Sequence, residues 1–205
     1  VRFFGNNQEF YFGQILAGEN GLVPNGYDTT LGGQGLNPAF PTGVANVEIK
    51  AHQPILVDYA GNYNGYNVDL TRVFSLGTLE EKLLFAYKVA VEIEAEIAEK
   101  AKPGVSCEEL YHWAKDLAKK YNLEDHFMGY YQQAPFVGHG LGLEMNELPV
   151  LAPGFTTQLK PGMALAVEPK FAFPGLGVVG IEDTFVVKER GLKKITMASE
   201  EIIIV

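Results

Sequence analysis

The stretch Ile55 to Phe74, ILVDYAGNYNGYNVDLTRVF, constrains the fold more than any other part of the chain. An apolar run, Ile55-Leu56-Val57, ends on Asp58, and a turn-rich centre, Gly61-Asn62-Tyr63-Asn64-Gly65, follows. Asn-Gly between strand-like runs is the strongest short-range hairpin signal, so the spacing predicts two antiparallel strands. The return strand carries Asp69 before Thr71, Val73 and Phe74. A turn centred at Tyr63-Asn64 sets Asp58 opposite Asp69. One centred at Asn64-Gly65 sets Ala60 opposite Asp69, with Asp58 two residues further along its strand. Side chains alternate along a strand, so both registers put the two carboxylates on one face. Like charges that close on an apolar hairpin repel unless a cation lies between them. The stretch therefore predicts a bound metal ion.

A second acidic hairpin follows late in the chain. Pro161-Gly162 introduces a strand from Met163 to Glu168, closed by Pro169, and a turn through Pro174-Gly175 leads to a strand from Gly177 to Val187. Glu168 and Glu182 stand symmetrically about Gly175, as the two aspartates stand about their own turn. Asp69-Leu70-Thr71 also echoes Glu182-Asp183-Thr184, a faint internal duplication. Between the hairpins the pattern predicts two helices. Thr78 with Glu81 reads as a capping box opening Leu79 to Ala101, and Ser106 with Glu109 as one opening a helix to about Tyr121. Trp113 and Leu117 read as core packing, and His112 and His126 as surface or satisfied histidines. The aromatic-rich start, Val1 to Gly13, reads as strand, and the Gly, Pro and Asn between Ala17 and Gly43 as an ordered loop region.

With 205 residues, 47% hydrophobic and 20% charged, the chain can bury a substantial core. A net charge of -9 argues against nucleic acid or an anionic membrane as the main partner. The sequence holds no apolar run of membrane-spanning length and no signal-peptide pattern. The single cysteine, Cys107, fits a reducing, cytoplasmic setting.

The acids of the two hairpins, collected with the one glycine-flanked histidine, are Asp58, Asp69, His139, Glu168 and Glu182. Glycines on both sides of His139 leave room for a ligand. Four carboxylates and one imidazole are too anionic for a structural zinc site and suit two bridged divalent ions roughly 3.5–4 Å apart. The imidazole favours Mn, Fe, Co or Zn over Ca.

The order Asp-x10-Asp-x-Thr-Arg, Gly-His-Gly-x-Gly-Leu, Gly-Met-x4-Glu-Pro and Ile-Glu-Asp-Thr resembles the pita-bread metallopeptidases, from about Gly32 to the C-terminus. The prolidase (Xaa-Pro dipeptidase) and aminopeptidase P branch fits best, through Gly65-Tyr66, Asp69 to Arg72 and Glu147-Leu148-Pro149. The resemblance implies an α+β fold, two pseudo-symmetric αβ halves around a curved antiparallel sheet. It also implies hydrolysis of a small peptide substrate by two metals and a shared water. By motif, Asp58 would chelate one metal, His139 and Glu168 the other, while Asp69 and Glu182 bridge and Glu168 shuttles a proton. Three positions depart from the pattern. Thr42 and Asn146 stand where active members usually carry histidines, and Gly180 where an arginine is common. With Tyr66 they form the expected substrate-facing set. The helices that usually cover the first half are also missing. The chain is therefore expected to be the C-terminal part of a longer protein, a single catalytic domain over 1–205 that pairs as a homodimer.

Overall fold

A computed structural model describes residues 2–3, 6–7, 13–24 and 31–205, and the side chains of 13–24 and 31–205. At the start, β1 (Arg2–Phe3) and β2 (Asn6–Asn7) form a short antiparallel pair. The rest of the strand expected there, with Phe4, Phe10, Tyr11 and Phe12, lies outside the described residues. After β3 (Gly13–Ala17) comes a 3-10 turn, Gly18–Leu22, the only helical turn before residue 54 among the described residues.

The first acidic hairpin forms as a long ladder interrupted once. β4 (Pro54–Tyr59) and β5 (Gly61–Tyr63) run out, and β6 (Tyr66–Val68) and β7 (Thr71–Ser75) return. Asn64 and Gly65 take positive φ values of 51° and 85°, the backbone of a two-residue hairpin turn that matches strand twist. That turn selects the register in which Asp58 faces Thr71 and Gly61 faces Val68. Asp69 falls in the interruption.

α1 (Glu81–Lys100) and α2 (Cys107–Lys120) follow. The Ser106–Glu109 capping box is present, but the Thr78–Glu81 box is not. Glu80 is the N-cap with an extended backbone, which leaves Thr78 outside the first turn, where its carbonyl takes a hydrogen bond from His52 Nδ1 at 2.9 Å. The apolar face of α1, including Leu83, Ala90, Ile93 and Ile97, is fully covered, and each large side chain of this kind contributes about 1.5–3 kcal/mol.

The second half contains β8 (Gly138–Gly140), β9 (Glu147–Val150), β10 (Ala164–Val167), β11 (Lys170–Phe173), β12 (Gly177–Gly180), β13 (Asp183–Lys188), β14 (Gly191–Lys194) and β15 (Ile203–Ile204). Five strands order as β14-β13-β10-β8-β9 and four as β15-β7-β4-β3. The second acidic hairpin repeats the design of the first. Val167 faces Asp183, Lys170 faces Gly180, and the ladder breaks between them at Glu168 and Glu182. The continuous strand expected from Gly177 to Val187 is therefore two strands, split where its carboxylate leaves the sheet. No helix is long and apolar enough to cross a membrane among the described residues.

Arg72 ties the halves together. From β7 its guanidinium bonds both oxygens of Asp183 at 2.8 and 3.0 Å, and the carbonyls of Thr71, Glu182, Ala198 and Ser199. Asp183 is wholly buried, so replacing Arg72 by Met takes away one of its two cations and leaves it only Lys194 and the Thr196 hydroxyl. The expected cost is about 3–5 kcal/mol, read as a loss of unfolding free energy in denaturant titration.

Behind Asp183, Lys194 Nζ reaches Glu94, Asp183 and Glu200 at 2.9, 2.6 and 2.6 Å. Glu94 Oε1 is buried with no hydrogen-bond partner among the described residues. Burial, and then Asp183, raise the Glu94 carboxyl from 4.5 to about 8. The folded chain thus holds a proton there that the unfolded chain releases. Stability from this group is full below pH 4.5 and lost as pH rises to about 8. Glu94→Gln is expected to match the parent near pH 5 and to exceed it in unfolding free energy, read by denaturant titration, at pH 8–9, by an amount on the order of a few kcal/mol at most.

Candidate metal centre

All four acids predicted from the sequence converge where the two ladders break: Asp69, Glu168 and Glu182 lie in the breaks, and Asp58 lies close to one while still paired with Thr71. The two hairpins meet there: Thr71 and Glu182 exchange backbone hydrogen bonds at 3.2 and 3.3 Å. Thr71 Oγ1 donates to Glu182 Oε2 at 2.7 Å. On the pseudo-symmetric side, the Asp69 N–H donates to Thr184 Oγ1 at 2.8 Å, and that hydroxyl donates back to Asp69 O at 2.9 Å.

His139 comes in on β8 between β10 and β9, with its ring Nε2 3.7 Å from Glu168 Oε1 and 4.0 Å from Asp69 Oδ2. Its Nδ1 lies 3.0 Å from Gly140 O, an atom that only accepts. Nδ1 therefore carries the proton and Nε2 presents a lone pair to the acids, the tautomer a metal ligand needs. The flanking glycines serve the sheet rather than a ligand. A Cβ at Gly138 would meet Ala166 O at 2.3 Å and one at Gly140 would meet Leu148 O at 2.7 Å, so the neighbouring strands occupy that space.

Asp69, Glu168, Glu182 and His139 are buried, while Asp58 keeps 17% of its side chain exposed. Burial first, then the Asp58 charge, raise the Asp69 carboxyl from 3.8 to about 7. Burial and then Asp69 push Glu182 well above the usual carboxylate range. Both shifts come first from burial and then from neighbouring negative charge.

The chain matches metallopeptidase family M24 over residues 6–189. It belongs to this family. It is 35% identical over 191 residues to the Xaa-Pro dipeptidase of Pyrococcus furiosus, a match covering 93% of this chain and 53% of that protein. The structure is similar to a dipeptidase from Pyrococcus horikoshii OT3, with a TM-score of 0.76 and 30% identity over 93% of this chain and 48% of that one. A methionine aminopeptidase from Thermotoga maritima shares the fold at a TM-score of 0.63 and 20% identity, covering 91% of this chain and 74% of that one. The α+β pita-bread architecture expected from the motifs is thus the fold of this M24 chain. The chain spans about half the length of the curated relatives it matches.

The residues of this M24 chain fit one divalent ion. Asp69, His139 and Glu182 offer ligand atoms all within 4.8 Å of one another, a mixed N/O set suited to Mn, Fe, Co or Zn. They do not fit a second ion as they stand. Lys170, 1% exposed, extends its ammonium to Asp58 Oδ2, Glu168 Oε2 and Glu182 Oε2 at 3.1, 2.8 and 3.2 Å. Burial works against that charge, but Asp58, Glu168 and Glu182 together raise the lysine well above its ordinary value.

Sequence reasoning missed Lys170, although a signal was there. It lies two residues after Glu168, on the same face by strand alternation, opposite the side-chain-free Gly180. Of the expected substrate-facing residues, Thr42 is turned to its own loop, donating from Oγ1 to Gly32 O at 3.0 Å. Asn146 is half-buried ahead of β9, and Tyr66 is 63% exposed at the hairpin tip. Gly180 lies beneath the lysine stem. Beside the centre, Asn67 fastens that hairpin to the histidine loop, donating from both backbone and side chain to Gly142 O at 2.8 and 3.1 Å.

Asp69→Asn removes one ligand and one buried charge. Isothermal titration with Mn²⁺ is expected to show affinity weakened by at least the roughly 10–100-fold seen for outer-shell changes at metal sites. Unaltered affinity would remove Asp69 from the ligand set.

Proposed function

We propose that this chain is the catalytic part of a metal-dependent hydrolase of short peptides, acting on Xaa-Pro dipeptides or related aminopeptidase substrates. The observation that carries the reading is the convergence of Asp69, His139 and Glu182, with Glu168 beside them, at the crossing of two hairpins. A bound divalent ion supplies Lewis acidity, lowering the pKa of a coordinated water and polarising the scissile carbonyl.

The chain's own groups do the rest. His139 and Asp69 fix the position of the reacting centre, His139 through the tautomer set by Gly140 O. Glu168 accepts a proton at the attacking water and returns it to the leaving amine. Lys170 holds Glu168 Oε2, which fixes the orientation of that carboxylate. Tyr66 and Asn146 are assigned to the substrate path, with Thr42 and Gly180 at its edge. Neutral groups there bind substrate by hydrogen bonding rather than by charge. A homodimer and a cytoplasmic location belong to the same proposal. The supporting features are the exposed Tyr59, Tyr63, Tyr66 and Leu148, and the buried, unpaired Cys107.

A different small amide is the second reading, favoured by Thr42, Asn146 and Gly180 at positions where histidine and arginine are usual in this family. Metal analysis of the purified chain followed by Xaa-Pro dipeptide hydrolysis with added Mn²⁺ or Co²⁺ separates the two. Metal-dependent turnover is expected. Bound metal without peptide turnover moves the assignment to another amide, and absence of bound metal removes hydrolysis altogether.

A further inference from the structure

We propose that Lys170 replaces one of the two cations that the four carboxylates call for, so that this chain binds a single divalent ion. The inference deepens the hydrolase reading and rests on it only for what the remaining ion does. On this assignment Asp58 is the counter-ion of a lysine, not a ligand of a metal.

Three observations carry it. First, the coordination is complete. An ammonium has three N–H donors, and three carboxylates take them, one from the first hairpin and two from the break in the second: Asp58 at 3.1 Å, Glu168 at 2.8 Å and Glu182 at 3.2 Å. A divalent ion at the same oxygens needs them at about 2.0–2.2 Å, which the ammonium prevents.

Second, the lysine is built in. Its backbone is fixed from behind, where the Met128 N–H donates to Lys170 O at 2.8 Å. Its stem crosses the facing strand at Gly180, where a Cβ would lie 2.5 Å from Lys170 Cγ. Lys170 and Gly180 are therefore a matched pair: only the residue without a side chain lets the lysine lie across to the acids. The tip has no route to solvent, since the residue is 1% exposed.

Third, the groups the lysine leaves to an ion are the ones able to hold it. Asp69 and His139 take no hydrogen bond from Lys170, and with Glu182 they form the trio of converging ligand atoms. Glu182 is shared, touching the ammonium through Oε2 and completing the ion site. A bridging carboxylate between two metals becomes a bridge between an ammonium and a metal.

The test counts ions. The full chain, Lys170→Ala and Lys170→Met are each loaded with Mn²⁺, freed of excess metal, and analysed for metal per chain by inductively coupled plasma mass spectrometry. The expected result is one ion for the parent and two for Lys170→Ala. Lys170→Met keeps the stem and tests whether loss of charge alone admits a second ion. Melting temperature with and without Mn²⁺ provides a second readout, and the rise on adding metal is expected to be larger in the variants. If either variant needs metal to fold, it is purified in Mn²⁺ and counted after dialysis. Two ions in the parent, or no gain in both variants, overturns the inference. A parent with no ion overturns both the single-ion inference and the hydrolase reading, whatever the variants gain. One ion in the parent and two in a variant, with no peptide turnover in the parent, supports the inference and sends only the substrate assignment elsewhere.

Discussion

Mutual repulsion among Asp58, Asp69, Glu168 and Glu182 is the constraint the rest of this structure answers. Carboxylates drawn together out of water lose hydration and raise one another's energy, and the upward shifts at Asp69 and Glu182 record it. The interior offsets this with placed cations. Lys170 is buried among three of the acids from the front. Behind, Arg72 and Lys194 converge on Asp183, the immediate neighbour of Glu182. Strand alternation sends Glu182 toward the centre and Asp183 toward these two cations. One dipeptide thus serves the chemistry on one face and holds the halves together on the other. The acids can be crowded in front because the sheet behind is clamped by Arg72.

The crossing of the hairpins is what gives the centre its geometry. Each ladder stops for a few residues at or near its acids, then resumes in the same register, so the break releases Asp69, Glu168 and Glu182 without losing alignment. Thr71 and Thr184 lock the crossing from both sides, each contacting the acid-bearing segment of the other hairpin. The sequence echo between Asp69-Leu70-Thr71 and Glu182-Asp183-Thr184 therefore has a physical meaning. It marks the two strands that meet about a pseudo-twofold axis, with one acid of the ligand trio, Asp69 or Glu182, contributed by each.

Much of this was legible in residue order because the signals were local. Asn64-Gly65 dictates a tight turn through its positive φ values, and the register of every first-half acid follows from it. Pro174-Gly175 does the same for the second half. Ser106 and Glu109 cap α2 because they are three residues apart, with nothing competing for either side chain. Thr78 and Glu81 have the same spacing, yet Thr78 is drawn into a contact with His52, which no local pattern announces. The glycines around His139 were legible as a need for space, but what fills the space is backbone from strands distant in sequence. Lys170 was missed for a related reason. A lysine after Glu-Pro reads as a surface residue unless the facing Gly180 is read with it, and that pairing exists only once the hairpin is in register.

Exchanging a divalent ion for an ammonium alters what the centre can do. An ammonium satisfies carboxylates through hydrogen bonds but has no empty orbital to accept a lone pair, so it neither ionises a water nor polarises a carbonyl as a metal does. It also carries half the charge. Four carboxylates facing one ammonium and one divalent ion keep one negative charge, whereas two divalent ions would neutralise them. A coordinated water loses its proton less readily in a field that stays negative, and the work passes to the base beside it. In the proposed hydrolysis that role falls to Glu168, which has one oxygen held by Lys170. A tethered cation also cannot be removed by chelation, so the crowded acids remain partly compensated when the exchangeable ion leaves. The exchange gives up the symmetric two-ion grip on attacking and leaving atoms.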